Sequence, residues 1–203
     1  MIRKLMNALF PPRCIGCGIQ DEALCARCVS NARKSLTTPH AYIVSVFDFK
    51  DPTIRNVIHA IKYYHRRDIV PVIAHYLVQE VIHANIPRKE TIVLPIPMHT
   101  SRYRVRGYNH AEVLAREVSN LLALPIAADT LVRIKKTKQQ AKIHKKQDRL
   151  SNQQGVFAVT CNIKGKDILL IDDVTTTGAT LEEARNTLLK AGARSVHAAT
   201  VAH

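Results

Sequence analysis

The segment Ile168-Leu169-Leu170-Ile171-Asp172-Asp173-Val174-Thr175-Thr176-Thr177-Gly178-Ala179-Thr180 constrains this chain more than any other. A run that is apolar at every position from Ile168 to Ile171 marks a strand covered on both faces, the central strand of a parallel sheet sandwiched by helices. Two acids and a hydroxyl-rich turn follow. A helix then begins at about Thr180, with Leu181, Ala184, Leu188 and Leu189 inward and Gly192 as its stop. Ligands of open α/β sheets bind beyond the carboxyl ends of the strands, and a helix N-terminus offers unpaired N–H groups to a phosphate. Thr175, Thr176, Thr177 and Thr180 add hydroxyl donors around Gly178 and Ala179, and Gly178 lets the backbone come close. Asp172 and Asp173 then stand one sugar length away and suit the 2′ and 3′ hydroxyls of a ribose, directly or with Mg²⁺. A plain helix start needs one capping residue, so the full run of threonines beside two acids needs more explanation than a cap. Neither GxxxxGK[ST] nor a strand-linked GxGxxG is present.

The rest of the chain supplies the layers around that strand. Tyr42 to Phe49 reads as a strand, Thr53 to Tyr64 and Ile69 to Ala84 as helices, and Ile92-Val93-Leu94 as a short β-branched strand left through Pro95-Ile96-Pro97. Asn109 to Leu122 is an amphipathic helix, with Ala111, Leu114, Ala115, Val118, Leu121 and Leu122 on its inner face. Strand-like pieces at Thr130 to Ile134 and Val156 to Val159 flank a polar stretch, Lys135 to Gly155, and Ser195 to Val201 is the last strand. This alternation predicts a doubly wound α/β fold with a mostly parallel twisted sheet flanked by helices, spanning residues 39–203.

Residues 1–38 read as a separate small module. Met1 to Phe10 predicts a short helix stopped by Pro11-Pro12. Cys14-x2-Cys17 and Cys25-x2-Cys28 follow, seven residues apart, a spacing that presents four thiolates to one tetrahedral ion. Gly16 and Gly18 suit the positive φ of such knuckles. A closed four-cysteine site reads as structural zinc, with a redox CxxC or an adventitious cluster as the competing reading, while Cys161 stands alone and reads as an inert thiol.

Charge sets the class of partner. The chain has 203 residues, with 30 Lys and Arg against 16 Asp and Glu and a net charge of +14, which points to a polyanion. No apolar run is long enough to span a bilayer and no export signal is evident, so a cytoplasmic location is expected. His99, Arg102, Arg104 and Arg106 form one basic loop with guanidinium forks suited to phosphate. Lys135, Lys136, Lys138, Lys142, Lys145, Lys146 and Arg149 form a denser run, read as a contact for single-stranded DNA, with a solvated charged face as the competing reading. Tyr63, Tyr64, Tyr103 and Tyr108 lie near basic residues and are the candidates for base stacking; core packing is the competing reading for Tyr63.

Residues 168–180 resemble the phosphoribosyl-pyrophosphate (PRPP) motif of the type I phosphoribosyltransferases. The four-cysteine knuckle, Pro95-Ile96-Pro97-Met98-His99 with Arg102, Arg104-Val105-Arg106-Gly107-Tyr108-Asn109, and the later Arg149 and Asn152 resemble the ComF family of competence proteins. The chain departs from that family's pattern at His110, where glutamine is common, and at Tyr64-His65-Arg66. The resemblance implies PRPP bound with Mg²⁺, its 5′-phosphate on the hydroxyl turn, its ribose on Asp172 and Asp173, and its pyrophosphate on the side of Pro97 to Asn109, with His99, Arg102 and Arg106. It also implies a cytoplasmic accessory protein of natural transformation that handles incoming single-stranded DNA, with late-competence proteins as partners. An active transferase on an unidentified acceptor and a PRPP-sensing regulator are the alternatives; no catalytic residue and no acceptor is assigned.

Overall fold

The computed structural model describes residues 11–135 and 155–203. The helix expected at Met1 to Phe10 lies outside the described residues. The backbone follows the alternation of the sequence: α1 (Ala26–Ser30), β1 (Ile43–Phe47), α2 (Pro52–Tyr63), a 3-10 turn (Arg67–Ile69), α3 (Val70–His83), β2 (Thr91–Pro95), α4 (Thr100–Arg106), α5 (His110–Leu122), β3 (Leu131–Arg133), β4 (Phe157–Val159), β5 (Asp167–Val174), α6 (Ala179–Lys190) and β6 (Ser195–Ala202). No described helix is long and apolar enough to cross a membrane.

The main sheet has the order β1-β6-β5-β2, and every pair in it is parallel. Beyond β2 the chain adds one further bridge, with Val93 N donating to Pro125 O and Ala127 N donating to Val93 O. Strand β5 sits inside this sheet and splits its side chains between two cores. Ile168 and Leu170 join Leu181, Ala184 and Leu188 of α6, whereas Leu169 and Ile171 join α2, α3 and α5. All four are fully buried, as the apolar run requires.

Helix starts follow local chemistry. Asp51 caps α2 by accepting from Thr53 N at 2.9 Å and Ile54 N at 3.1 Å, with Pro52 in the first turn. Asn109 caps α5 by accepting from Ala111 N at 3.1 Å, and its amide donates to Ile96 O at 3.0 Å, which ties the helix to the exit of β2. Strand β5 runs to Val174, so Asp172 and Asp173 belong to the strand rather than to the turn after it.

Two expectations change. The basic segment read as a loop forms α4, because His99 Nδ1 accepts from Ser101 N at 3.1 Å and Gly107, at φ +76°, ends the helix. This helix buries none of its residues and so carries no apolar period. Strands β3 and β4 leave the main sheet and pair with each other as an antiparallel ribbon.

The cysteine-bearing segment shares the larger core. Cys14, Leu24, Cys25, Val29 and Ala32 belong to the same apolar cluster as Phe47, Ile54 and Leu77. The chain leaving it lies beside β1, with Ser35 N donating to Val46 O at 3.1 Å and Asp48 N donating to Arg33 O at 2.8 Å. Asp51 joins both parts, since its Oδ2 accepts from Arg33 N at 2.9 Å while its Oδ1 caps α2.

Asp51→Ala should therefore lose a cap and a tether, about 2–3 kcal/mol together. Asp51→Asn keeps one accepting oxygen, so it should hold the cap but lose the tether, about 1–1.5 kcal/mol. Urea unfolding of the two variants measures the difference, and equal losses would count against the double role.

Candidate functional site

The end of β5 brings three metal-competent groups together. Alternation along the strand sends Asp172 and Asp173 to opposite faces, yet their carboxylates and the His110 ring hold atoms all within 4.8 Å of one another. Asp173 is buried and paired twice: Lys62 Nζ meets its Oδ2, and His110 Nε2 lies 3.3 Å from its Oδ1. Burial opposes its charge, but Lys62 and His110 overcome that and hold Asp173 below the usual carboxylate range. Asp172 accepts from Asp173 N at 2.8 Å. Burial, reinforced by the Asp173 charge, pushes the Asp172 carboxyl well above its ordinary range. Arg133 of β3 stands within electrostatic reach of Asp172; burial and the charge of Arg102 bring its pKa down to about 10, against the pull of Asp172.

The turn after β5 is held from both sides. Thr175 is buried and its N–H donates to Ala202 O at 3.0 Å, while Thr176 is exposed and its carbonyl accepts from His203 Nε2 at 3.0 Å. Gly178 adopts φ +77°, and a Cβ there would stand 2.7 Å from His40 Cδ2 and 3.1 Å from Pro39 Cγ. Only glycine satisfies both the conformation and the close approach. Gly178 also holds the N-cap position of α6, where it has no side chain to offer, and Ala179 N reaches Thr177 Oγ1 at 3.5 Å. Ala179 is buried and Thr180 half-buried in the first turn of α6. The turn thus places backbone donors and threonine hydroxyls at a 12-residue helix N-terminus directly after two acids.

On the α2 and α4 side an open cavity of about 310 Å³ is lined by Lys62, Tyr63, His65, Arg102, Val105 and Arg106. Arg106 covers the Tyr63 ring at 4.8 Å, donates from Nη2 to Tyr63 Oη at 3.1 Å, and brings Nη1 within 3.4 Å of His110 Nδ1. Burial and the neighbouring Arg106 charge lower the Arg102 pKa. Of the other residues assigned to this side, His99 spends its ring on capping α4, and Arg104 is exposed. Lys62 and His110 complete the site without having been assigned to it. Lys62 gave no signal, being one polar residue in the last turn of an amphipathic helix.

Tyr108 is a correction to the stacking candidates: it is buried, and its hydroxyl donates to Ile61 O. Tyr63, Tyr64 and Tyr103 are at least half exposed. Lys135 is exposed, whereas Lys136, Lys138, Lys142, Lys145, Lys146, Arg149 and Asn152 lie outside the described residues.

The sulfur atoms of Cys14, Cys17, Cys25 and Cys28 lie within 4.8 Å of one another, and those of Cys17 and Cys25 are 3.7 Å apart. A tetrahedral zinc with bonds of about 2.3 Å separates its sulfurs by about 3.8 Å, so the donor set fits this ion. Gly18 supplies the expected positive φ, +78°. Gly16 serves differently, since a Cβ there would stand 2.7 Å from Cys28 Sγ. Although burial raises it, N–H bonds from Cys25, Cys17 and Gly16 bring the Cys14 thiol down to about 6. Burial and the neighbouring thiols push Cys28 up. Four adjacent thiols cannot all ionise without a cation. Cys161 is exposed and outside the cluster.

Residues 60–203 match the family described as phosphoribosyl transferase domain. The chain is 28% identical over 190 residues to DNA utilization protein YhgH of Salmonella typhi, covering 90% of this chain and 80% of that protein. It is 32% identical over 107 residues to Competence protein F of Haemophilus influenzae, covering 51% of this chain and 46% of that protein. It is 36% identical over 106 residues to Competence protein ComFC of Bacillus subtilis, covering 52% and 41% respectively.

Elemental analysis of protein purified without chelator should find about one zinc per chain, lost in Cys28→Ser. Gly16→Ala should weaken zinc retention against a chelator, because its Cβ crowds Cys28 Sγ. Less than about half an equivalent in the unmodified protein would remove the zinc assignment.

Proposed function

Because this chain belongs to the phosphoribosyl transferase domain family, we propose that it binds PRPP with Mg²⁺ at the end of β5. The observation that carries this reading is the direct succession of Asp172, Asp173, the Gly178 turn and the α6 N-terminus. In this arrangement Thr175, Thr176, Thr177, Gly178, Ala179 and Thr180 hold the 5′-phosphate through amides and hydroxyls. Asp172 and Asp173 take the ribose hydroxyls, and Arg102 and Arg106 face the pyrophosphate across the cavity. Mg²⁺ prefers oxygen donors, which the acid pair and the ligand's own phosphates offer, and it supplies neutralisation of the pyrophosphate charge.

The named relatives extend the reading to DNA. We propose a role in handling incoming single-stranded DNA, with the strand's phosphates following Lys135 to Arg149. The net charge of +14 supports a polyanionic ligand. The open cavity beside Lys62 favours a second reading, transfer of the phosphoribosyl group to an acceptor, which pyrophosphate release against a panel of acceptors would reveal.

Isothermal titration with PRPP and Mg²⁺ tests the first claim. Asp172→Ala combined with Asp173→Ala removes two acceptors of ribose hydroxyl protons, each worth roughly 1.5–3 kcal/mol when charged, so binding should fall at least about tenfold. Unchanged affinity in the folded double variant would sink the assignment.

Fluorescence anisotropy across a salt series tests the second. Log affinity for single-stranded DNA should fall with log salt at about 0.7 per neutralised phosphate. Replacing Lys142, Lys145 and Lys146 by Gln should lower that slope by about two. Coincident slopes would place the DNA elsewhere and bring the transferase reading forward.

A further inference from the structure

The donors around His110 fix its tautomer and thereby join two parts of the site. A guanidinium has donors and no acceptor, so the 3.4 Å contact from Arg106 Nη1 makes His110 Nδ1 the accepting nitrogen. The proton is then assigned to Nε2, which lies 3.3 Å from Asp173 Oδ1; the assignment follows from the two partners. The other oxygen of Asp173 is held by Lys62. At its far edge Arg106 donates to Tyr63, and no carboxylate pairs with Arg106 among the described residues. A continuous line of polar contacts therefore runs from Arg106 through the His110 ring to Asp173. Arg106 faces the cavity, and Asp173 stands beside Asp172 at the strand end.

We propose that His110 is a positioning residue that couples the pyrophosphate side of the site to its ribose side. A phosphate on Arg106 fixes the guanidinium, the guanidinium fixes the His110 ring, and the ring fixes the Asp173 carboxylate in place for the sugar. His110 is 9% exposed, so water does not substitute readily for either bond. The two halves of PRPP then bind cooperatively, each preparing the chain for the other. This inference rests on the PRPP reading above and adds to it a residue and an energetic link.

The test uses the halves as separate probes, ribose 5-phosphate and inorganic pyrophosphate, titrated with Mg²⁺ into the full chain as purified without chelator. Pyrophosphate at saturation should raise the affinity for ribose 5-phosphate about fivefold or more. His110→Gln should keep that enhancement, because a side-chain amide also accepts through oxygen from Arg106 and donates through nitrogen to Asp173. His110→Leu fills the space without either contact and should abolish the enhancement, read as the ratio of the variant's own ribose 5-phosphate affinities with and without pyrophosphate. If His110→Leu fails to fold, Arg106→Met at saturating pyrophosphate breaks the same chain at its solvent end and should likewise remove the enhancement. Enhancement that survives in His110→Leu or Arg106→Met, or is lost equally in His110→Gln, overturns the proposal. Independent binding of the two probes by the unmodified protein overturns the coupling alone, whereas failure to bind either probe or PRPP overturns the PRPP reading with it.

Discussion

A carboxylate buried at the end of a central strand has to be paired, and the pairing of Asp173 organises the site. Lys62 comes from the last turn of α2 and His110 from the first turn of α5, so one charge ties two helices to the middle of the sheet. Removing one partner of such a pair costs about 3–5 kcal/mol, because the other charge stays buried. Each helix is in turn fixed by its own cap. Asp51 sets the start of α2, and Asn109 sets the start of α5 while reaching back to Ile96 at the exit of β2. Asp172, one residue away on the opposite face, remains beside Arg133 and the open end of the strand. The acid pair is thus built asymmetrically, with one carboxylate anchored by helices and its neighbour presented to the site.

The cysteine cluster bears on the same site through the chain that leaves it. Its buried residues share a core with β1, α2 and α3, and the strand-like segment after it runs along β1. That segment continues to Pro39 and His40, which press on Gly178 closely enough to exclude any side chain there. His40 stacks on Tyr42 at 5.2 Å and stands 3.9 Å from Glu182 of α6. A structural ion in the cluster would therefore help to hold the chain that braces the Gly178 turn. This connection gives a physical reason for a four-cysteine cluster that fits zinc and a phosphoribosyltransferase fold to occur in one chain.

The layers of the fold were legible because they obey periodicities. The apolar run of β5 and the 3.6-residue faces of α2, α5 and α6 are local signals, and the structure follows them to within a few residues, except that Leu121, expected on the inner face of α5, is exposed. Helix α4 was missed because a helix with no buried residue has no apolar face to read. Lys62 was missed for a related reason, since its partner is 111 positions away and nothing in α2 announces a long-range ion pair. His110 stood out as a departure from the family pattern, but only the fold shows that its two nitrogens meet Arg106 and Asp173. Tyr108 looked like a surface aromatic among arginines, and its burial against Ile61 depends on helices that meet only in three dimensions.

The central claim is that one continuous element, from Asp172 through the first turn of α6, holds a phosphoribosyl ligand. Amide hydrogen exchange across the described residues, with and without PRPP and Mg²⁺, tests it most directly. The account predicts slowed exchange concentrated at residues 176–180, with smaller slowing around His110 and little change along α1. Unchanged exchange in that turn at a saturating ligand concentration, or protection confined to other elements, would contradict it.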